Sequence, residues 1–268
     1  MPNSQPIGVF DSGLGGLTVV KELNLLLPFE DIIYFGDTGR VPYGNRSIET
    51  IKRYAKEDED FLLNQDVKAI IAACGTVSSV AGDVSDKLPI PFFEVVSHAS
   101  KMACETTKNK KIGVIGTAAT IKSGKHKEYI LKTLPDAKVV CQSCPLFVPL
   151  VEEGWYSADD VVVSETIKRY LEPMMEEGVD TLILGCTHYP ILEKAISAVL
   201  GDGVKLINAG TATAQAVLEF LKEKDMLKGE GKGNLEFFVS DKADSFRQQA
   251  SILLGKEIDD SKVKTVSL

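Results

Sequence analysis

The sequence predicts an α/β protein of two pseudo-symmetric lobes, each built on a parallel sheet, with an active site in the cleft between them. Short apolar segments alternate with amphipathic helical segments along the whole chain, and this alternation predicts parallel sheets with right-handed crossovers. The chain also repeats itself. Segment 7–13 resembles segment 111–118 with a shift of 112 − 7 = 105 positions, and segment 69–76 resembles 182–187 with a shift of 186 − 74 = 112. Two such similar shifts indicate an internal duplication of strand and helix units.

The individual elements follow from apolar runs of four to six residues for strands and from longer amphipathic spacing for helices. Strands are expected at residues 7–10, 32–35, 69–73, 111–118, 137–140, 182–184, 205–208 and 235–239. Helices are expected at residues 17–26, 47–64, 76–87, 97–107, 122–133, 158–176, 191–200, 211–223 and 243–254. Segments 36–44 and 145–154 are rich in glycine and proline and are expected to be loops.

Residues 1–97 plus 209–268 are expected to form the first lobe, and residues 98–208 the second. Ligands of open parallel sheets bind beyond the carboxyl ends of the strands. The cleft between two such lobes is therefore the expected site. The first lobe would contribute Asp11 and Cys74, and the second Glu152, Cys186 and His188.

Composition narrows the class of protein. Of 268 residues, 44% are hydrophobic and 25% charged, as in ordinary globular domains, and the net charge of −8 argues against a nucleic-acid surface. No apolar stretch is long enough to cross a membrane, and the N-terminus lacks the features of a signal peptide. Five cysteines, an odd number, favour a reducing compartment. We expect a cytoplasmic protein.

Several cofactor motifs are excluded. The glycine-rich segment 11–16 fails the dinucleotide pattern, because the third glycine would fall at Thr18, and no Walker sequence is present. The lone pair Cys141 and Cys144 has no partner pair for structural zinc, and Pro145 follows it where a redox motif would enter a helix. The interpretation is two small residues in a partly buried segment. We expect neither a cofactor nor a metal.

Cys74 and Cys186 each follow a predicted strand, and each has a threonine close behind it. Taken singly, each is best explained as a small buried hydrophobe. Taken together, a disulfide is disfavoured in the cytosol, and a metal site lacks ligands because His188 is the one histidine near either cysteine. Paired acid/base chemistry remains. One ionised and one protonated thiol on opposite sides of a carbon is what an inversion of configuration requires.

Other polar residues fall near the same predicted strand ends. Asp11 could exchange protons with one thiol, and His188 or Glu152 with the other. Hydroxyls and backbone N–H groups could bind carboxylates, although each hydroxyl alone is also explained by helix N-capping. These hydroxyl residues are Ser12, Thr76, Thr117, Thr120 and Thr187.

Several segments resemble glutamate racemase, a member of the aspartate/glutamate racemase family, and together they extend over nearly the whole chain. They are residues 8–16, 34–38, 42–44, 116–120, 148–152 and 185–190. The resemblance implies a cofactor-independent interconversion of L- and D-glutamate that supplies D-glutamate for peptidoglycan. It implies that Cys74 removes the α-proton of D-glutamate and Cys186 that of L-glutamate.

The resemblance also assigns supporting residues. Asp11, Glu152 and His188 match the family's auxiliary acid/base groups. The residues that match substrate contacts are Asp11, Ser12, Pro42, Tyr43, Gly44, Cys74, Gly75, Thr76, Thr117, Thr120, Cys186, Thr187 and His188.

Two positions depart from the family pattern. Gly75 stands where asparagine is usual, and His126 stands where tyrosine is common. Two alternatives stay open: an aspartate racemase, although these tend to carry glutamate at the position of His188, and a non-catalytic amino-acid-binding or regulatory relative. We expect a small-molecule substrate, with neither nucleic acid nor membrane as a partner, and a homodimer is an open alternative.

Overall fold

The computed structural model describes residues 4–268. Ten strands alternate with twelve α-helices in this part of the chain. The strands are β1 (Ile7–Asp11), β2 (Ile32–Gly36), β3 (Ala69–Ala72), β4 (Phe92–Glu94), β5 (Lys111–Gly116), β6 (Lys138–Ser143), β7 (Thr181–Leu184), β8 (Lys205–Asn208), β9 (Leu235–Val239) and β10 (Val263–Thr265). The helices are α1 (Leu17–Leu26), α2 (Ile48–Leu63), α3 (Gly75–Val80), α4 (Gly82–Ser85), α5 (Val95–Thr106), α6 (Ala118–Ser123), α7 (Lys125–Thr133), α8 (Phe147–Glu152), α9 (Val161–Glu177), α10 (Glu193–Leu200), α11 (Ala209–Glu223) and α12 (Ala243–Leu254). Short 3-10 turns occur at Tyr43–Asn45, Tyr189–Leu192 and Asp260–Lys262.

The strands form two sheets in which every pairing is parallel. The first has the order β10-β9-β2-β1-β3-β4, and the second β6-β5-β7-β8. The order β2-β1-β3-β4 of the first sheet therefore recurs as β6-β5-β7-β8 in the second, as a duplication predicts. The predicted α/β fold with two parallel sheets is confirmed.

Each sheet has apolar side chains packed on both faces. Strands β1, β3 and β7 are buried along their whole length, which is typical of parallel strands covered by helices on both sides. Helix α5 contributes Ala99 and Ala103 to the core of the second sheet, although the helix begins at Val95. The predicted lobe boundaries near residues 97 and 208 stay a prediction. None of the helices within residues 4–268 is long and apolar enough to span a membrane.

Three local predictions were wrong. The helix expected at 76–87 is divided into α3 and α4 at Ala81, just before Gly82. The helix expected at 122–133 is divided into α6 and α7, because Gly124 adopts the left-handed conformation with φ 69°. The predicted loop 145–154 contains α8, in which Pro149 lies in the first turn, where a backbone N–H has no intrahelical partner in any case.

Candidate active site

The two cysteines lie at the carboxyl ends of strands from different sheets. Cys74 follows β3 after one intervening alanine and is the N-cap residue of α3, while Cys186 follows β7 after one intervening glycine. Both are almost completely buried, and both line a single cavity of about 230 Å³ between the two sheets. The structure therefore brings together two side chains that are 112 positions apart in the sequence (186 − 74).

Most of the other predicted residues line the same cavity. They are Ser12, Pro42, Tyr43, Gly44, Gly75, Thr76, Thr117, Glu152, Thr187 and His188. Asp11 and Thr120 are buried and are not among the residues that line the cavity. Their predicted contacts with the substrate stay predictions.

The surroundings of Cys74 favour a protonated thiol. Its Sγ donates to Ser12 Oγ at 3.7 Å. Burial, together with the nearby negative charge of Asp11, raises the pKa of the Cys74 thiol to about 12. Burial also raises the pKa of Asp11, although the charge of His188 and the Gly13 N–H, which donates to Asp11 Oδ2 at 2.9 Å, act in the opposite direction. Cys74 is therefore a protonated thiol at neutral pH.

The surroundings of Cys186 are different. His188 Nε2 lies 3.3 Å from Glu152 Oε1, at the mouth of the cavity where Glu152 is partly exposed. Burial acts to lower the pKa of His188, but hydrogen bonding to Cys186 and Glu152, together with the charge of Asp11, outweighs burial and raises this pKa to about 10. His188 is therefore an imidazolium at neutral pH, and it places a proton and a positive charge beside Cys186.

The turn after β1 holds the segment that carries His188. Thr18 Oγ1 lies 3.0 Å from the carbonyl oxygen of Thr187 and 2.9 Å from that of Gly15, and Thr187 Oγ1 donates to Asp11 Oδ1 at 3.4 Å. A Cβ at Gly15 would lie 2.1 Å from Thr187 Oγ1 and 2.6 Å from His188 Nδ1. Glycine is required there because the backbone of the turn packs directly on residues 187 and 188.

Three threonine hydroxyls form a chain of contacts that begins at the cavity wall with Thr76 and Thr117 and ends at the buried Thr120. Thr76 Oγ1 lies 3.2 Å from Thr117 Oγ1, which donates to Thr120 Oγ1 at 3.0 Å. Thr117 also caps α6, since its hydroxyl accepts from the Thr120 N–H at 3.2 Å. Thr117 is thus both the N-cap of α6 and a residue of the cavity wall. The three hydroxyls connect α3, which follows a strand of the first sheet, with α6, which follows a strand of the second.

A buried charged network supports the loop that carries Pro42, Tyr43 and Gly44. The Tyr43 hydroxyl contacts Asp37 and donates to Asp58 Oδ2 at 3.0 Å. Arg40 contacts the same two carboxylates, at 3.1 Å for Asp58 Oδ1. Burial and the two carboxylates raise the pKa of Tyr43 well above its ordinary value. The phenol thus stays protonated, and its hydroxyl is held by the two carboxylates.

Sequence reasoning missed several residues of the cavity wall. They are Val41, Asn45, Ala118, Cys144, Pro145, Val148, Pro149, Gly185 and Tyr189. Cys144 directly follows β6, and the Tyr189 hydroxyl donates to its carbonyl oxygen at 3.0 Å. Its place after a strand of the same sheet as β7 was the available signal. Its partner Cys141 is exposed, whereas Cys144 is buried.

Within residues 4–268, no group of three or more His, Cys, Asp or Glu side chains is placed to hold a metal ion. The charged side chains of the cavity wall are Glu152 and His188. Anionic groups of a ligand would thus meet hydroxyls, backbone N–H groups and one imidazolium.

The protein has two parallel sheets of repeated strand order whose strand ends face one small cavity, and it is similar over nearly its full length to known racemases. It is therefore an amino-acid racemase, an enzyme of the isomerase class. More particularly, the chain belongs to the Asp/Glu/Hydantoin racemase family, whose model matches residues 12–217.

Individual relatives support this assignment. The chain is 44% identical over 256 residues to a glutamate racemase of Geobacter metallireducens, with 95% of this chain and 94% of the relative covered. Its structure is similar to that of a glutamate racemase isoform from Bacillus anthracis, with a TM-score of 0.94, 37% identity and 98% of each chain covered. A glutamate racemase from Francisella tularensis, solved in complex with D-glutamate, has a TM-score of 0.90 and 39% identity, again over 98% of each chain. The predicted resemblance to glutamate racemase is confirmed.

Proposed function

We propose that this protein interconverts L- and D-glutamate without a cofactor, using Cys74 and Cys186 as the two bases. The observation that carries the proposal is the pair of thiols, one from each sheet, in a single cavity of about 230 Å³. The names of the relatives supply the substrate, since the similar proteins from Geobacter metallireducens and Francisella tularensis are glutamate racemases.

The reaction requires one proton removal and one proton delivery. The thiolate of one cysteine takes the α-proton, so the C–H bond breaks and an S–H bond forms. The thiol of the other cysteine then donates its proton to the opposite face of the α-carbon, so a new C–H bond forms with inverted configuration. By the resemblance, Cys74 removes the proton of D-glutamate and Cys186 that of L-glutamate.

Each thiol has its own auxiliary group in this scheme. Asp11 lies close enough to Cys74 to perturb its pKa, and its own raised pKa suits it to exchange a proton. On the other side, the His188 imidazolium beside Cys186 can return a proton to the thiolate, with Glu152 at 3.3 Å as its counter-charge. The two sides therefore differ: a carboxyl serves one thiol and an imidazolium the other.

The cavity wall suits an amino acid with two carboxylates. Hydroxyls of Ser12, Thr76 and Thr117 line it, together with backbone groups of Gly44 and Gly75. Hydrogen bonds from such neutral donors can hold carboxylates while the thiols remain the titrating groups of the site. We assign the substrate contacts to these wall residues and give Asp11 and Thr120 supporting roles behind them.

The direct test is circular dichroism of L-glutamate incubated with the purified protein and no added cofactor. The signal should decay to zero, and in D₂O the D-glutamate formed should carry deuterium at its α-carbon. Product that retains the original α-hydrogen would refute the solvent-exchanging two-base mechanism. Turnover of aspartate in preference to glutamate would instead identify an aspartate racemase, and binding of glutamate by calorimetry without decay of the signal would identify a non-catalytic relative.

The roles of the two thiols are tested by Cys74→Ser and Cys186→Ser. A serine hydroxyl is a much weaker acid than a thiol, so each variant should lose at least about 100-fold in kcat, the lower range of what a general base contributes. Cys141→Ser is the matched control, because Cys141 is exposed and lies outside the cavity. Near-wild-type turnover by Cys74→Ser or Cys186→Ser would exclude that residue as a base.

We further propose that the protein acts in the cytoplasm and supplies D-glutamate for peptidoglycan. Expression in a bacterial strain that requires external D-glutamate tests this role. Growth without the supplement is expected with the wild-type chain and not with Cys74→Ser. Failure of the wild-type chain to restore growth, despite racemisation in vitro, would contradict the cellular role alone.

A further inference from the structure

The backbones of the two cysteine-bearing segments are in direct contact at a pair of glycines. Gly75 directly follows Cys74, and Gly185 directly precedes Cys186. A Cβ built on Gly75 would lie 2.5 Å from the carbonyl oxygen of Gly185 and 3.5 Å from its carbonyl carbon. Contacts of real Cβ atoms are essentially never shorter than 3.0 Å. No residue with a side chain fits at position 75 without movement of one of the two segments.

We propose that Gly75 is a positioning residue, whose missing side chain sets the spacing between the Cys74 and Cys186 thiols. The proposal rests on the proposed two-cysteine racemisation and adds a determinant of its geometry. It assigns a function to the position at which this chain departs from the asparagine usual in the family.

Gly185 cannot move away locally. Its N–H donates to the carbonyl oxygen of Ile115 at 2.8 Å, which continues the β5–β7 ladder. The space behind it is filled as well, because a Cβ at Gly185 would lie 2.6 Å from Ile115 O and 3.2 Å from His126 Nε2. Gly185 is thus fixed to the edge of the second sheet, and its carbonyl group can move only together with that sheet.

Gly75 is held equally firmly on its side. It is the first residue of α3, and its carbonyl oxygen accepts from Ser79 Oγ at 2.6 Å. The residue before it, Cys74, follows β3 after one intervening alanine, and its carbonyl oxygen accepts from the Ser78 N–H at 2.9 Å. Since both segments are tied to their own sheets, a side chain at position 75 would be relieved by separation of the two sheets at the cavity floor.

The movement that a side chain at position 75 would require is about as large as a displacement that slows proton transfer. Ordinary Cβ contacts begin at 3.4 Å, so the separation along this contact is 3.4 − 2.5 = 0.9 Å. A displacement of about 1 Å from the reactive geometry can reduce a rate about 100-fold. Cys74 and Cys186 are the immediate neighbours of the two glycines, so we expect a displacement of either backbone to move the thiol next to it.

The test compares Gly75→Ala with Gly82→Ala. Both glycines are the first residue of a short helix, but a Cβ at Gly82 meets nothing within 4 Å. The control therefore carries the same change in unfolded-chain entropy without the contact. We expect Gly75→Ala to lower kcat about 10- to 100-fold with a smaller change in KM, and Gly82→Ala to match the wild type.

A kinetic isotope effect separates positioning from simple loss of folded protein. With glutamate deuterated at the α-carbon, the isotope effect on kcat should rise in Gly75→Ala for both enantiomers, because the longer transfer makes proton movement more rate-limiting. A smaller folded fraction lowers kcat and leaves the isotope effect unchanged. Gly75→Asn should behave like Gly75→Ala, since the Cβ is the atom that collides.

The possible results distinguish failure of the proposed function from failure of the positioning role of Gly75. If the wild-type protein does not racemise glutamate, the proposed function fails. If the wild type racemises and Gly75→Ala or Gly75→Asn retains its kcat and isotope effect, the positioning role is wrong while the function stands. If both variants fail to fold where Gly82→Ala folds, the contact serves stability alone and the proposal is overturned.

Discussion

Arg40 is the cation of a buried network, and removing its charge should destabilise the protein. Its guanidinium contacts Asp37, Glu57 and Asp58, the last at 3.1 Å, and lies 4.1 Å from the ring centroid of Tyr54. In Arg40→Met the side chain keeps much of its apolar stem and loses the charge. The carboxylates of Asp37 and Asp58 then remain in the interior without their cation.

The size of the effect follows from burial. The side chains of Asp37 and Asp58 are 0% exposed, while that of Arg40 is 23% exposed. Removing one partner of a buried ion pair destabilises by about 3–5 kcal/mol, and the partial exposure of Arg40 favours the lower end. At about 2–4 °C per kcal/mol for a protein of this size class, about 3 kcal/mol corresponds to a fall in Tm of about 6–12 °C.

The assay is thermal unfolding followed by circular dichroism, with Lys168→Met as control. Lys168 pairs with Glu165 on the surface of α9, with both side chains more than half exposed. Exposed pairs contribute little to stability, so this variant should unfold close to the wild-type temperature. An equal, small change in Tm for Arg40→Met and Lys168→Met would refute the reasoning.

The pH dependence gives a second check on Arg40→Met. Burial and the charge of Asp37 raise the pKa of Asp58, whereas Arg40 lowers it. Without Arg40 the folded state should bind a proton at Asp58 still more tightly than the unfolded chain, so a lower pH stabilises the variant relative to the wild type. The difference in Tm should therefore be smaller at pH 5 than at pH 8. KM for glutamate should rise, because Tyr43 loses part of its support.

Two further predictions concern the segment that carries His188. Thr18→Val removes the hydroxyl that lies between Gly15 O and Thr187 O, and the loss of one hydrogen bond of about 1 kcal/mol should lower kcat about fivefold. Thr18→Ser should keep near-wild-type kcat, and equal impairment of the two variants in steady-state kinetics would contradict this role. The pKa of His188 is raised to about 10, against about 6.5 in an unfolded chain. Its stabilising contribution is therefore complete below pH about 6.5 and is lost as the pH rises through about 10. The gap in unfolding free energy between the wild type and His188→Gln, measured by urea titration, should narrow across this window, and a gap independent of pH would exclude the assignment.

Local patterns were sufficient to place the strands that carry the cysteines. The apolar runs before Cys74 and Cys186 are fully buried strands in the structure, and helices 17–26 and 243–254 have the predicted bounds. Such elements are read correctly because periodicity and burial agree within one short segment. The strand at Val263–Thr265 was missed, since it is mostly exposed and pairs only with β9, so its sequence carries no core pattern.

Contacts between segments that are distant in the sequence could not be predicted from local patterns. Asp11 is fully buried and contacts Gly13 and Thr187, and neither contact could be predicted from the sequence around it. The support of Tyr43 by Asp37 and Asp58 joins a loop to a helix 15 positions further on. No local pattern specifies which buried charges share one cation.

The sequence by itself determined the strands that precede Cys74 and Cys186, and therefore that the two thiols lie at the carboxyl ends of parallel strands. The tertiary structure decided that these edges face each other across one cavity, and that the Gly75 and Gly185 backbones approach more closely than any side chain permits. It also decided the protonation states of Cys74 and His188, since the pKa of each group depends on burial and on charges from distant parts of the chain. Periodicity is a property of neighbours along the chain, whereas desolvation and close approach arise only when the two sheets and their helices are packed together.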